Sequence, residues 1–180
     1  MRLLFDCRRE TLYPIGKEGF SGGSEVYLKQ IVRGLANGGY TVHVVTPDLE
    51  VEEQRGPTEW WWPPNNVPRT ADVAVQMMHL YPTPEYEAPV LVLMTSCIEP
   101  DCGPNDQWAQ AIDAVPVFSK VHRDLLCKMR PIPPEKCFLT GLGVDLADYP
   151  DNLASFLKWE PKRMLYANDP ARGLFYLLDI

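Results

Sequence analysis

No stretch of this sequence is apolar for long enough to cross a membrane as a helix. The longest apolar run, residues 90–94, is a fraction of the roughly 20 residues that a spanning helix needs. The opening segment, MRLLFDCRRE, meets charge too soon to read as a secretory signal. The expected location is the cytoplasm, with at most peripheral membrane contact. Positive charge is also in short supply. The 17 Lys and Arg face 24 Asp and Glu, for a net charge of −7. Generic nucleic-acid binding rests on clustered cations that neutralise phosphates, so no nucleic-acid partner is expected. Paired metal ligands are missing as well. The five cysteines, Cys7, Cys97, Cys102, Cys127 and Cys137, contain no C-x-x-C pair. Cys97 and Cys102 have no histidine nearby, so no metal or other cofactor is expected. An odd cysteine count without a signal segment reads as free thiols. There is no internal repeat and no low-complexity tract.

What remains is the composition of a globular protein, 46% hydrophobic and 23% charged over 180 residues. That length suits one ordinary domain and a short extension. Residues 2–5 read as a first strand. After a polar, glycine-bearing loop, Gly22-Gly23-Ser24-Glu25 opens a periodic segment. Leu28, Ile31, Val32 and Leu35 fall on one face of a helix. Asn37-Gly38-Gly39 supplies its stop, because glycine tolerates the left-handed conformation of a helix end. Residues 41–46 are rich in β-branched side chains and read as a second strand. Residues 73–77, 90–94 and 115–118 are short apolar runs of the kind that forms strands buried on both faces. Residues 105–114 and 120–130 read as helices, and residues 138–140 as a last short strand. The expected fold is α/β, with a mostly parallel, Rossmann-like sheet and helices on both faces.

Residues 48–70 break this rhythm. Pro57, Pro63, Pro64 and Pro68 interrupt regular structure, and Trp60-Trp61-Trp62 lies among them. The segment reads as a long loop whose aromatics cap the sheet. The alternative is an aromatic patch facing an acceptor or a membrane, since indole rings suit sugar faces and lipid interfaces. Residues 120–130 carry Lys120, His122, Arg123, Lys128 and Arg130, a basic face, opposite Val121, Leu125, Leu126 and Met129, which read as the buried one. The basic face is most simply solvated; a weak site for anionic acceptors or membrane is the other reading.

Three segments, in order, resemble family 4 glycosyltransferases of the GT-B fold. The first is Gly22-Gly23-Ser24-Glu25 with its helix, followed by Gly38-Gly39-Tyr40-Thr41-Val42-His43-Val44-Val45-Thr46. The second is Val117-Phe118-Ser119-Lys120 through Leu125, then Pro134-Glu135-Lys136-Cys137-Phe138, then Gly143-Val144-Asp145-Leu146. The third is Arg163-Met164-Leu165-Tyr166 through Pro170-Ala171-Arg172-Gly173-Leu174. Leu142 stands where the family usually has Asn, and Asn168-Asp169 replaces Ser-Ser. The resemblance implies an acceptor-side domain over residues 1–147, a linker over 148–162 and the start of a donor-side domain over 163–180. The family's acidic donor motif would fall beyond Ile180, so the chain is expected to be an incomplete enzyme, inactive by itself, with a separate donor-domain chain as a candidate partner.

The implied reaction is retaining transfer of a sugar from a nucleotide sugar to a glycan or lipid-linked acceptor. A metal-free enzyme of this kind must stabilise the departing diphosphate with helix N-termini and cations. Gly22 and Gly23 precede a helix and let the backbone approach a phosphate; they also suit a plain tight turn with Ser24 as N-cap. Arg172 matches the family's cation at the donor diphosphate, and a guanidinium suits phosphate oxygens. It also suits a solvated helix start. His79, after the strand at 73–77, is the catalytic candidate or else an ordinary loop histidine. Ser24, Glu25 and Ser119 lie in the matching segments and, with Trp61, are the candidate acceptor contacts; Glu25 equally suits a first-turn acid that complements the helix dipole. A nucleotide-binding oxidoreductase is the competing enzyme class. Its fingerprint G-x-G-x-x-G is not met by Gly19-Phe20-Ser21-Gly22-Gly23. A non-catalytic acceptor-binding module is the third reading.

Overall fold

A computed structural model describes residues 1–8, 23–78, 85–95 and 107–141, with the side chains of 23–25 and 107–108 excepted. All of these lie in the first of two units into which the chain divides, Met1–Gly143. The boundaries expected at 147 and 162 fall outside the described residues.

The fold is α/β, built on a mostly parallel sheet. Strand β1 (Arg2–Asp6) is its axis. Leu3, Leu4, Phe5 and Asp6 are all buried, so both faces of this strand are covered. It pairs in parallel with β2 (Thr41–Val45) on one side and β5 (Val73–Met77) on the other. Beyond β2 lies β4 (Glu59–Trp62), and beyond β5 lies β6 (Leu91–Met94), both parallel to their neighbours. Strand β3 (Glu53–Gly56) runs antiparallel to β4, with a register shift between Gln54 and Gly56. The sheet order is β3-β4-β2-β1-β5-β6. Strands β7 (Val115–Val117) and β8 (Cys137–Leu139) form a parallel pair. A bridge between Val92 and Ala114 continues the sheet from β6 toward them.

Between β1 and β2 the chain crosses through α1 (Gly23–Asn37). Leu28 and Val32 are fully buried there, with Ile31 and Leu35 packed beside them, as the spacing predicts. They meet Phe5, Val44, Val75 and Met77 on one face of the sheet. The helix ends in a paired closure. The N–H of Tyr40 donates to Leu35 O at 3.1 Å and that of Gly39 to Ala36 O at 3.0 Å. This is the six-to-one and five-to-two pattern that needs a left-handed residue, and Gly39 has φ +85°. The opposite face carries a smaller core of Leu4, Val45, Ala71, Ala74 and Tyr86. A third core joins Leu93, Ile112, Val115 and Val117 to Leu126.

Three expectations change. Residues 48–70 are not one long loop, because they contain the hairpin β3–β4. Pro57 sits in its two-residue turn and Pro63 just past its end, where the lost N–H breaks no ladder bond. The tryptophans between them form a strand, as aromatic residues favour. The helix expected to run to residue 114 stops earlier, as α2 (Gln107–Ala111). Asp113 takes over there, its carboxylate accepting from Leu91 N at 2.8 Å and its own N–H donating to Leu91 O at 2.8 Å. Helix α3 (Lys120–Met129) is rotated from its expected setting. His122 and Leu126 are buried, whereas Val121 and Met129 are 66% and 44% exposed. The first turn fixes this orientation. Ser119 caps His122 N, and His122 Nδ1 accepts from Phe118 N at 3.3 Å, which draws residue 122 inward.

Candidate functional site

The strand order reverses beside β1. One connection leaves toward β2 through α1; on the other side β1 meets β5. In open α/β sheets, ligands bind outside the carboxyl ends of the strands at such a reversal. Here that edge comprises Asp6 to Arg8 after β1, Thr46 after β2, Met78 after β5, Thr95 after β6 and Ser119 after β7.

Its most developed chemistry is a buried polar cluster. Asp6 is fully buried. Arg8 donates to both carboxylate oxygens, from Nε to Oδ1 at 3.0 Å and from Nη2 to Oδ2 at 2.9 Å. The third nitrogen of Arg8, Nη1, reaches Glu85 Oε2 at 3.2 Å. Behind the pair, Gln76 Nε2 donates to the hydroxyl oxygen of Tyr86 at 2.8 Å. The Asp6 carboxylate lies close enough to the Tyr86 hydroxyl for its charge to act on it. Burial first, and then the charge of Asp6, push the Tyr86 phenol well above its ordinary range. It stays protonated and acts as a donor, not a base. Beside the cluster, Asn65, Asn66, Arg69, Glu85, Tyr86 and Glu87 line most of an open depression of about 650 Å³. These are amide, guanidinium and carboxylate groups, suited to hydroxyl-rich or charged ligands.

Met78 has φ +60°, the one non-glycine residue with positive φ among the described residues. Two contacts hold it there. Its N–H donates to Met94 O at 2.8 Å, and Thr95 Oγ1 lies 3.6 Å from its Sδ. Backbone strain of this kind persists where the surroundings over-determine it, and it gathers at functional loops. Met78 directly precedes His79.

Of the residues singled out from the sequence, His79, Gly22 and Arg172 lie outside the described residues. Gly23 is the first residue of α1. Ser24 and Glu25 follow it in the first turn. Ser119 is a helix cap. With extended backbone (φ −156°), its Oγ accepts from His122 N at 3.0 Å. The Phe118 ring beside it meets the Tyr27 ring edge-on at 5.3 Å, so the end of β7 packs against α1. Trp61 is turned into the core and is 1% exposed. Its Nε1 donates to Glu59 Oε1 at 2.6 Å, and the Arg55 guanidinium lies 4.1 Å over its ring. It offers no face to a sugar; Trp60 and Trp62, on the other side of β4, keep some exposed surface. His122, read as part of a basic face, is buried against Phe118.

The Asp6–Arg8 cluster was missed in the sequence. Its signal was there: one acidic residue closing the apolar run of β1, with a basic residue two positions on. Among the described residues, no group of three or more His, Cys, Asp or Glu is placed to hold a metal ion. No described helix is long and apolar enough to cross a membrane. No known protein family matches the chain, and no curated protein matches it either.

Proposed function

We propose that this chain carries the acceptor-side, Rossmann-like domain of a GT-B glycosyltransferase similar to family 4. Its substrates on this reading are a nucleotide sugar and a glycan or lipid-linked acceptor, and transfer proceeds with retention. The observation that supports the reading best is the meeting of α1 with the carboxyl edge of the sheet. A helix that begins in glycine follows β1 at the point where strand order reverses. The N–H groups of its first turn have no partner within the helix, and its dipole favours an anion. The departing nucleoside diphosphate is such an anion, and its charge grows in the transition state. In this scheme Gly22 and Gly23 allow close backbone approach. Arg172 supplies a cation from the donor side, and His79 contacts the sugar or an acceptor hydroxyl. The strained Met78 sets the direction in which the chain leaves β5 toward His79. Acceptor hydroxyls have Ser24, Glu25 and the polar depression beside Tyr86 as partners.

The test uses the protein expressed from its full reading frame. A panel of nucleotide sugars is supplied with and without glycan and lipid-linked acceptors, and nucleoside diphosphate release is measured. Release that depends on an acceptor is expected. Gly23→Val should weaken nucleoside diphosphate binding about tenfold, or ~1.4 kcal/mol, with helix content retained by circular dichroism. No release across the panel, together with unchanged diphosphate affinity in the variant, would sink the reading. Tight binding of a nicotinamide dinucleotide instead would replace it with an oxidoreductase.

A further inference from the structure

Two thiols with no part in the proposed transfer face each other at the β8 end of the sheet. Cys127 lies near the end of α3, and Cys137 opens β8. Their sulfurs are 3.7 Å apart. Both are free and half-buried, unlike Cys7, which is fully buried in the core beneath α1. A disulfide bond is ~2.05 Å long, so closure requires the sulfurs to approach by about 1.7 Å. The segment between them folds back through the single turn Pro134–Lys136, which brings the two together. Cys137 Sγ also lies 4.0 Å from Pro133 O, which is placed to accept its hydrogen.

We propose that Cys127 and Cys137 form a reversible oxidation site, a dithiol that a peroxide converts into a disulfide tying the end of α3 to β8. In the first step the Cys127 thiolate attacks one peroxide oxygen. An S–O bond forms, the O–O bond breaks, and the departing hydroxide takes up the proton that the Cys127 thiol released on ionising, leaving as water. In the second step the Cys137 sulfur attacks the sulfenic sulfur of Cys127. The S–S bond forms, the S–O bond breaks, and hydroxide leaves with the Cys137 proton as a second water. Two electrons pass from the two sulfurs to the peroxide, and a small dithiol returns them on reduction. Burial, and then the facing Cys127, push the Cys137 thiol up to about 12. It rests as a thiol and must give up its proton to attack, since the thiolate is the nucleophile.

The experiment treats the full chain, fully reduced and desalted, with a few equivalents of hydrogen peroxide. Intact mass, non-reducing peptide mapping and melting temperature are then read. The expected product is about 2 Da lighter and carries one cross-linked peptide joining Cys127 to Cys137. Dithiothreitol should reverse it. Because the bridge closes a short loop, melting should rise by roughly 5 °C on oxidation. Cys127→Ser and Cys137→Ser, each checked for folding by circular dichroism, should lose both the cross-link and the melting shift. A map in which Cys127 and Cys137 of the folded chain remain unlinked overturns the proposal, whether they are unmodified, oxygenated or paired with Cys7, Cys97 or Cys102.

Discussion

Replacing Arg8 with methionine should cost about 3–5 kcal/mol of stability, a large loss for a residue so near the chain start. The size follows from what is left behind. Asp6 is fully buried, and Arg8 gives its carboxylate two charge-assisted hydrogen bonds, at 3.0 and 2.9 Å. Methionine fills much of the same space but keeps, of the bonds from residue 8 to the buried carboxylate, only that of the backbone N–H. The outer half of the arrangement is different. Glu85, at 3.2 Å from Arg8, has a side chain that is 71% exposed. Water already solvates it, so Glu85→Gln should cost under about 1 kcal/mol. Urea unfolding measures both, with the two slopes compared to confirm that the same surface unfolds. The double variant Asp6→Leu/Arg8→Met should be less unstable than Arg8→Met alone, because it removes the stranded charge. Equal losses for Arg8→Met and Glu85→Gln, or strictly additive losses in the double variant, would refute the reasoning.

Two glycines, one inside α1 and one in the closure after it, should respond with opposite signs. Gly39→Ala should cost about 1 kcal/mol, because φ is +85° there while an added Cβ meets nothing within 4 Å, so the penalty is conformational. Gly34→Ala, in the helix and equally uncrowded, should gain roughly 0.5–1 kcal/mol; thermal melts of the pair check both signs. His43 should make the protein less stable in mild acid. Trp62 Nε1 donates to its Nδ1 at 3.0 Å, so the neutral ring must keep its proton on Nε2. Burial, and then Arg2, lower its pKa from 6.5. As pH falls, the unfolded chain takes up this proton first, so stability is complete above 6.5 and is lost as pH drops from there through the folded value. Urea midpoints between about pH 7.5 and about pH 5 should fall more for the wild type than for His43→Gln; parallel curves would contradict this.

The sheet was legible in the sequence because its central strands are buried on both faces. Such strands show as short, largely apolar runs, and residues 73–77 read as a strand with its observed ends although Gln76 interrupts them. Helix α1 was legible for the complementary reason, a single apolar stripe ending in Gly38-Gly39. The hairpin β3–β4 is not, because prolines read as breakers wherever they stand, and only the fold shows that these fall at its turn and end. The face of α3 is not legible either, because composition ranks Val121 and Met129 above His122 for burial. Two local hydrogen bonds, one from Ser119 and one to Phe118, decide the matter and leave no periodic trace. The Asp6–Arg8–Tyr86 cluster depends on Tyr86 returning from a distant loop, and that closure has no local signature.

Strand β3 has a consequence for how copies of this protein behave together. A parallel sheet that ended at β4 would present the open backbone of a tryptophan-rich strand, a ready template for another chain. Instead the outermost strand is four residues long, reads Glu-Gln-Arg-Gly and is mostly exposed. Its register slips between Gln54 and Gly56, and Arg55 is held by Glu53 at 2.7 Å over the Trp61 ring. Shortness, charge and an irregular ladder are the features that discourage edge-to-edge addition. The cation that shields Trp61 from water thus also guards this border of the sheet against amyloid-like growth.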